Sequence, residues 1–198
     1  TVRVFVGDTR SQDGSARQLV LQDHVETITA TITKVLASSL NSPAAEMVAN
    51  VVDGQTGTKY LNFDGIGSGM VMKLEHADAM TGLSLTTRTN DDIWAWDPKT
   101  VAIYGANEAL AWADSAWSLI QDGLATQLPN GRGESSSVTF SNANAYQYYK
   151  LVFTDTKGTH QGKRYVHVSE ATLFKQVNLL ADDRLSLQMK PIDKLSLI

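Results

Sequence analysis

Short runs of alternating apolar and polar residues recur along the whole chain, and that period of two is its strongest constraint. "TVRVFV" (1–6), "RQLVLQ" (17–22), "ETITATITKVL" (26–36), "GMVMKLE" (69–75), "GLSLTT" (82–87) and "TVAIYGA" (100–106) carry it. "SSVTF" (136–140), "YYKLVFT" (148–154), "RYVHVSEATLF" (164–174), "RLSLQM" (184–189) and "KLSLI" (194–198) continue it. Successive side chains of a strand point to opposite faces, so such runs predict half-buried strands. They are rich in β-branched and aromatic residues, and turn signals such as "DGS", "DGIGSG", "PNGRG" and "DTKG" separate them. The pattern predicts an all-β chain folded as a sandwich or jelly roll.

Two stretches break the pattern. "SPAAEMVANVVD" (42–53) predicts a short helix, with Ser42 at the N-cap, Pro43 at the first position and Glu46 in the first turn. "NEALAWADSAWSLIQDG" (107–123) has a helical composition, but it reads better as a loop followed by a strand.

Composition narrows the function classes. The chain has 198 residues, a net charge of -4 and no cysteine. The acidic balance argues against nucleic-acid binding, which needs a dense basic face. No apolar run approaches the ~18–20 residues of a membrane-spanning helix. Lacking cysteine, the chain has no disulfide, thiolate metal site or cysteine nucleophile. No signal peptide is visible in "TVRVFVGDTR". Catalytic motifs are missing, including the nucleophile elbow, the zinc-protease helix and the phosphate-binding loop. His24, His76, His160 and His167 are scattered, and His167 reads as a surface or satisfied histidine. Asp91–Asp92 and Asp182–Asp183 are sequence neighbours, so in an extended segment they point apart, which is wrong for paired acid–base work. The chain therefore reads as a non-enzyme.

"VVDGQTGTKYLNF" (51–63) packs Asp53, Gln55, Thr56 and Thr58 into six positions threaded by two glycines. Such a loop is either an oxygen cage for a hard cation or a plain Asp-Gly turn capped by hydroxyls. "TRTNDDIWAW" (87–96) sets Trp94 and Trp96 beside Arg88, Asn90 and Asp91, a mixture that can stack on a sugar face and bind its hydroxyls. "DTKGTHQGKRY" (155–165) gathers Lys157, His160, Lys163 and Arg164, which either grip an acidic sugar or a sulfate or simply form a solvated loop. Tyr60 follows the Asp53 loop and could line the same end, whereas Phe63 reads as core.

Four segments in order resemble the galactose-binding-like superfamily, the jelly-roll sandwich of discoidin domains, coagulation-factor type C domains and family 32 carbohydrate-binding modules. They are "SPAAEMVANVVDGQTGTKYLNF", "GLSLTTRTNDDIWAWDPKTVAIYGAN", "AWSLIQDG" and "YYKLVFTDTKG…VHVSEATLF". The resemblance spans residues 38–174 and leaves 1–37 and 175–198 as strand-rich N- and C-terminal extensions. It implies a structural Ca²⁺ held by Asn50, Asp53, Gln55, Thr58 and Glu170. It also implies that loops at one end of the sandwich bind the ligand.

Two functions follow. One is a non-catalytic module attaching a larger assembly to a glycan or cell-surface polysaccharide. The other is a decoration or tail component of a virus particle, using the same sandwich for subunit assembly. Either places the protein outside the cell or on a virion surface. The terminal stripes, with Val2, Val4 and Val6 on one side and Leu185, Leu187 and Met189 on another, suit pairing with other subunits in an oligomer or larger assembly.

Overall fold

Alternation becomes strand in a computed structural model that describes residues 25–89 and 93–178. Eleven strands are described: β1 (Val25–Thr29), β2 (Ile32–Ala37), β3 (Tyr60–Asn62), β4 (Gly69–Asp78), β5 (Gly82–Thr86) and β6 (Pro98–Ala106), followed by β7 (Ser118–Ala125), β8 (Ser135–Thr139), β9 (Tyr146–Thr156), β10 (Val166–Val168) and β11 (Glu170–Asn178). They form a five-stranded sheet in the order β2–β4–β9–β6–β7, a four-stranded sheet in the order β1–β11–β5–β8, and the pair β10–β3. The non-sequential orders are those of a jelly-roll sandwich, and every described register is antiparallel. Ile28–Lys175 form one compact unit, and the described residues 25–27 and 176–178 group outside it.

The period of two is visible in what each strand buries. Met70, Met72 and Leu74 of β4 face inward, as do Val101 and Ile103 of β6 and Tyr149, Leu151 and Phe153 of β9. Leu83 and Leu85 of β5 meet them from the other sheet, with Ala171 and Leu173 of β11. Tyr60 and Tyr149 are fully buried, which is tolerable because their hydroxyls are bonded. Tyr60 donates to the Gly69 carbonyl at 3.1 Å, and Tyr149 donates to the Asp78 carbonyl at 2.6 Å. Burial raises both phenols above their ordinary pKa, so both remain donors.

Several expectations are met and one is revised. "AWSLIQDG" is indeed loop then strand, as β7 begins at Ser118. Residues 42–53 make no α-helix, only a 3-10 turn over Val48–Val52 that buries Val48 and Val51, and the Ser42 hydroxyl expected to cap a helix has no hydrogen-bond partner among the described residues. Strand β2, placed by sequence in the N-terminal extension, hydrogen-bonds to β4, and Ala30, Ile32 and Val35 pack on the core. The stripes at residues 2–6, 19–21 and 185–189 lie outside the described residues.

Gly69 permits the tight pairing of β4 with β9. A Cβ there would meet the Leu151 carbonyl oxygen at 1.9 Å, and backbone has nowhere to go. Gly69→Ala is expected to lower stability by about 1–3 kcal/mol in urea unfolding, the usual range for overpacking. An unchanged midpoint would show that the two strands can separate freely.

Candidate functional site

Asp97 precedes β6, and its carboxylate is 1% exposed. A buried carboxylate needs partners. Arg132 binds it with both terminal nitrogens, at 3.1 Å to Oδ1 and 2.5 Å to Oδ2. Lys157 Nζ donates to Oδ2 at 3.1 Å and also to the Pro129 carbonyl at 2.6 Å. His167 Nε2 lies 2.9 Å from Oδ1. Burial alone would raise the Asp97 pKa, but the hydrogen bonds of His167 and Arg132 and the Arg132 charge outweigh it and hold the carboxyl below its ordinary value. Backbone bonds add to the clamp, with the Lys157 N–H donating to the Asp97 carbonyl at 3.0 Å and the Gly158 N–H to the Ala95 carbonyl at 2.9 Å.

The network continues past His167. Lys59 Nζ lies 3.5 Å from His167 Nδ1 and 3.8 Å from Glu46 Oε1. An ammonium can only donate, so Nδ1 accepts and the Nε2–H faces Asp97. Arg88 Nη1 is 3.6 Å from Glu46, and its Nε donates to the Gly57 carbonyl at 2.8 Å.

Above Asp97 the loops expose a strip of rings. Residues Trp94–Trp96 form a single 3-10 turn that turns Ala95 inward, leaves Trp94 47% exposed and keeps Trp96 half-buried. The Trp96 indole N–H donates to the Lys163 carbonyl at 3.0 Å. Its ring lies 4.9 Å from Tyr165, 5.5 Å from His160 and 6.0 Å from the buried His167. Phe63 extends the strip, edge-on to Tyr165 at 4.8 Å and 38% exposed. His160 and Lys163 bond each other's backbones at 3.0 and 2.9 Å, closing a tight turn over Gln161 and Gly162. Both turn residues have positive φ, which holds the His160 ring against Trp96.

The Asp53 loop is a second cluster. Asp53 Oδ1 and Glu170 Oε1 accept from the same Gln55 N–H, each at 2.8 Å. Thr58 Oγ1 donates to Asp53 Oδ2 at 2.8 Å. Ser169 Oγ donates to the Thr58 carbonyl at 2.7 Å and lies 3.3 Å from that of Gln55. Burial first, then the neighbouring Asp53 carboxylate, pushes the Glu170 carboxyl up to about 7. Two carboxylates and a hydroxyl meet around the Gln55 N–H, and oxygen donors of this type suit a hard cation such as Ca²⁺.

The structure thus sorts the residues singled out from sequence. Asp53, Gln55, Thr58 and Glu170 do converge. The Asn50 side-chain amide instead donates to the Ala45 and Lys59 carbonyls. Trp94, Trp96, His160 and Lys163 share one loop end. Arg164 turns away onto Asp155 and Thr156. Arg88 supports the Asp53 loop and is no part of the ring strip. Asn90 and Asp91 lie outside the described residues. Tyr60 is corrected from ligand contact to core, because its ring is fully buried. Phe63 is corrected from core to surface. Sequence reasoning missed Tyr165, though its alternation with the inward Val166 signals an outward ring. It also missed Arg132, and Lys157 is corrected from ligand contact to partner of Asp97 and the Pro129 carbonyl.

No protein-family profile and no curated protein matches the chain. Solved structures do. The chain is similar to a truncated AlyQ with CBM32 and alginate lyase domains, at 14% identity and a TM-score of 0.57 over 77% of this chain and 34% of that one. It is similar to the family 32 module of C. perfringens NanJ in complex with galactose, at 14% identity and a TM-score of 0.57 over 76% of this chain and 100% of that one. A pectin-binding carbohydrate-binding module matches at 17% identity and a TM-score of 0.52 over 73% of this chain and 91% of that one. The chain spans about a third of the AlyQ chain. The fold is therefore the galactose-binding-like jelly roll of family 32 carbohydrate-binding modules. Among the described residues no helix is long and apolar enough to cross a membrane.

Asp97→Ala would strand Arg132, Lys157 and His167 around a missing charge. The expected loss is about 3–5 kcal/mol, the usual penalty for breaking a buried ion pair. Because the folded-state pKa of Asp97 is depressed, its contribution is present above the unfolded value of about 3.9 and is lost as pH falls through the folded one. Urea unfolding of wild type and Asp97→Asn across pH 2–6 checks this. The gap between them should narrow on the acid side, and a pH-independent gap would refute the ion-pair account.

Proposed function

We propose that the chain is a non-catalytic carbohydrate-binding module that attaches a larger assembly to a glycan. The observation that carries this is the contiguous strip of Phe63, Tyr165, Trp96 and His160, exposed at Phe63 and half-buried at the other three rings. Flat rings stack on the C–H face of a sugar, while the His160 ring nitrogens and Lys163 supply hydrogen bonds to its hydroxyls. The neighbours named for galactose, mannuronic acid and pectin support a saccharide as the ligand class. A glycan array followed by calorimetry tests the reading. Trp96→Ala should weaken the best ligand roughly tenfold or more, about 1.4 kcal/mol. An array with no saccharide bound would favour the virus-particle alternative, in which the sandwich serves assembly.

In this reading Asp53, Glu170, Thr58 and the carbonyls of the Asp53 loop hold a structural Ca²⁺. The ion would neutralise two carboxylates that otherwise repel and fix the loop that Arg88 and Ser169 already brace. A cation bound only by the folded state at a hundredfold excess over Kd adds about 2.7 kcal/mol. Calcium should therefore raise the melting temperature of wild type over that in EDTA, and Asp53→Ala should abolish the difference. Identical melting with calcium and with EDTA would leave the loop as an Asp-Gly turn.

A further inference from the structure

Two rows of side chains cross the outer face of the five-stranded sheet. In one, Lys34 of β2 stands opposite Lys73 of β4, and Lys73 stands opposite Tyr148 of β9. In the next, Leu36 stands opposite Val71, and Val71 opposite Lys150. Lys150 is withdrawn from the surface. It is buried, donates to the Trp112 carbonyl at 3.1 Å, and lies 4.5 Å from the Tyr104 ring and 4.9 Å from the Trp117 ring. That cage holds the 107–117 loop against the sheet. Ala109 of the loop then walls a groove of about 120 Å³ with Lys34, Leu36, Val71, Lys73 and Tyr148.

The groove is charged in an uncompensated way. Like charges directly opposite on adjacent strands are destabilising. Among the described residues neither Lys34 nor Lys73 pairs with a carboxylate, and Lys73 Nζ has only the Tyr148 ring, 5.7 Å away. The ammoniums flank an apolar floor on which Leu36 stays 47% exposed. Closed small-molecule sites run to roughly 300 Å³ or more, so this groove suits one acidic group and part of its ring, on a chain that continues outside. In a uronic acid the carboxylate is one bond from the ring, so the ring rests on Tyr148 and the aliphatic floor while the acid meets both lysines.

We propose that this sheet face is a second binding site, separate from the loop-end strip, for the uronate residues of an acidic polysaccharide. Attraction of this kind is screened by salt. The test uses polygalacturonate in affinity electrophoresis with the full chain. Wild type should be retarded, and the retardation should fall with added NaCl. Lys34→Gln with Lys73→Gln should remove at least nine-tenths of it. The charge-matched control Lys99→Gln with Lys175→Gln should retain it. Lys34 and Lys99 are exposed and Lys73 and Lys175 half-buried, the last paired with Asp78, and circular dichroism should show both doubles folded. Amide shifts on titration with a short galacturonate oligomer should centre on β2, β4 and Tyr148, and should persist in Trp96→Ala. Equal retardation of wild type and the Lys34/Lys73 double, or shifts confined to Trp96, His160 and Tyr165, would overturn the second site without touching the loop-end reading.

Discussion

The buried Asp97 carboxylate is the constraint on which the rest of the loop end depends. Removing a carboxylate from water carries a penalty of several kcal/mol unless charge and hydrogen bonds replace the water. Here the replacements come from Arg132, Lys157 and His167, which lie in three different segments. Satisfying one atom group therefore fixes the relative placement of three stretches of chain. Trp96 is the residue next to Asp97, and His167 lies beneath its ring. The same pairing that keeps Asp97 ionised holds the strip of rings in place.

The two carboxylate centres are electrostatic opposites. Around Asp97 cations are in excess, and its pKa falls. Around Glu170 a second carboxylate is the nearest charge, and its pKa rises to about 7. The first site pairs its carboxylate with protein groups alone, leaving only the Arg132 Nε buried without a partner among the described residues. The second brings two carboxylates onto one backbone N–H, with no protein cation among their described hydrogen-bond partners. Lys59, Glu46 and Arg88 run between them, ending at the Gly57 carbonyl of the Asp53 loop.

Much of the sandwich was legible because a period of two in sequence is a period of two in space. Met70, Met72 and Leu74 could be read as one face before any coordinate was known, and they are one face. The convergence of Asp53 with Glu170 was legible only through resemblance, since the two lie far apart in sequence. The helix expected at residues 42–53 failed with its cap: the Ser42 hydroxyl is buried without a hydrogen-bond partner among the described residues, and the 3-10 turn starts at Val48 with no side-chain cap. Tyr60 and Phe63 were exchanged for a related reason. Strand β3 is only three residues long, too short for alternation to declare which ring faces in. The Asp97 network was illegible because Arg132 sits in a stretch that reads only as a turn signal, and no local pattern says which distant acid an arginine will meet.

A crystal structure of the chain with a bound saccharide from the array tests the central claim most directly. The account predicts the sugar's C–H face against Trp96 and Tyr165, with a hydroxyl near His160 and the Asp97 contacts unchanged. A sugar held elsewhere, with that strip of rings bare at saturating ligand, would contradict it.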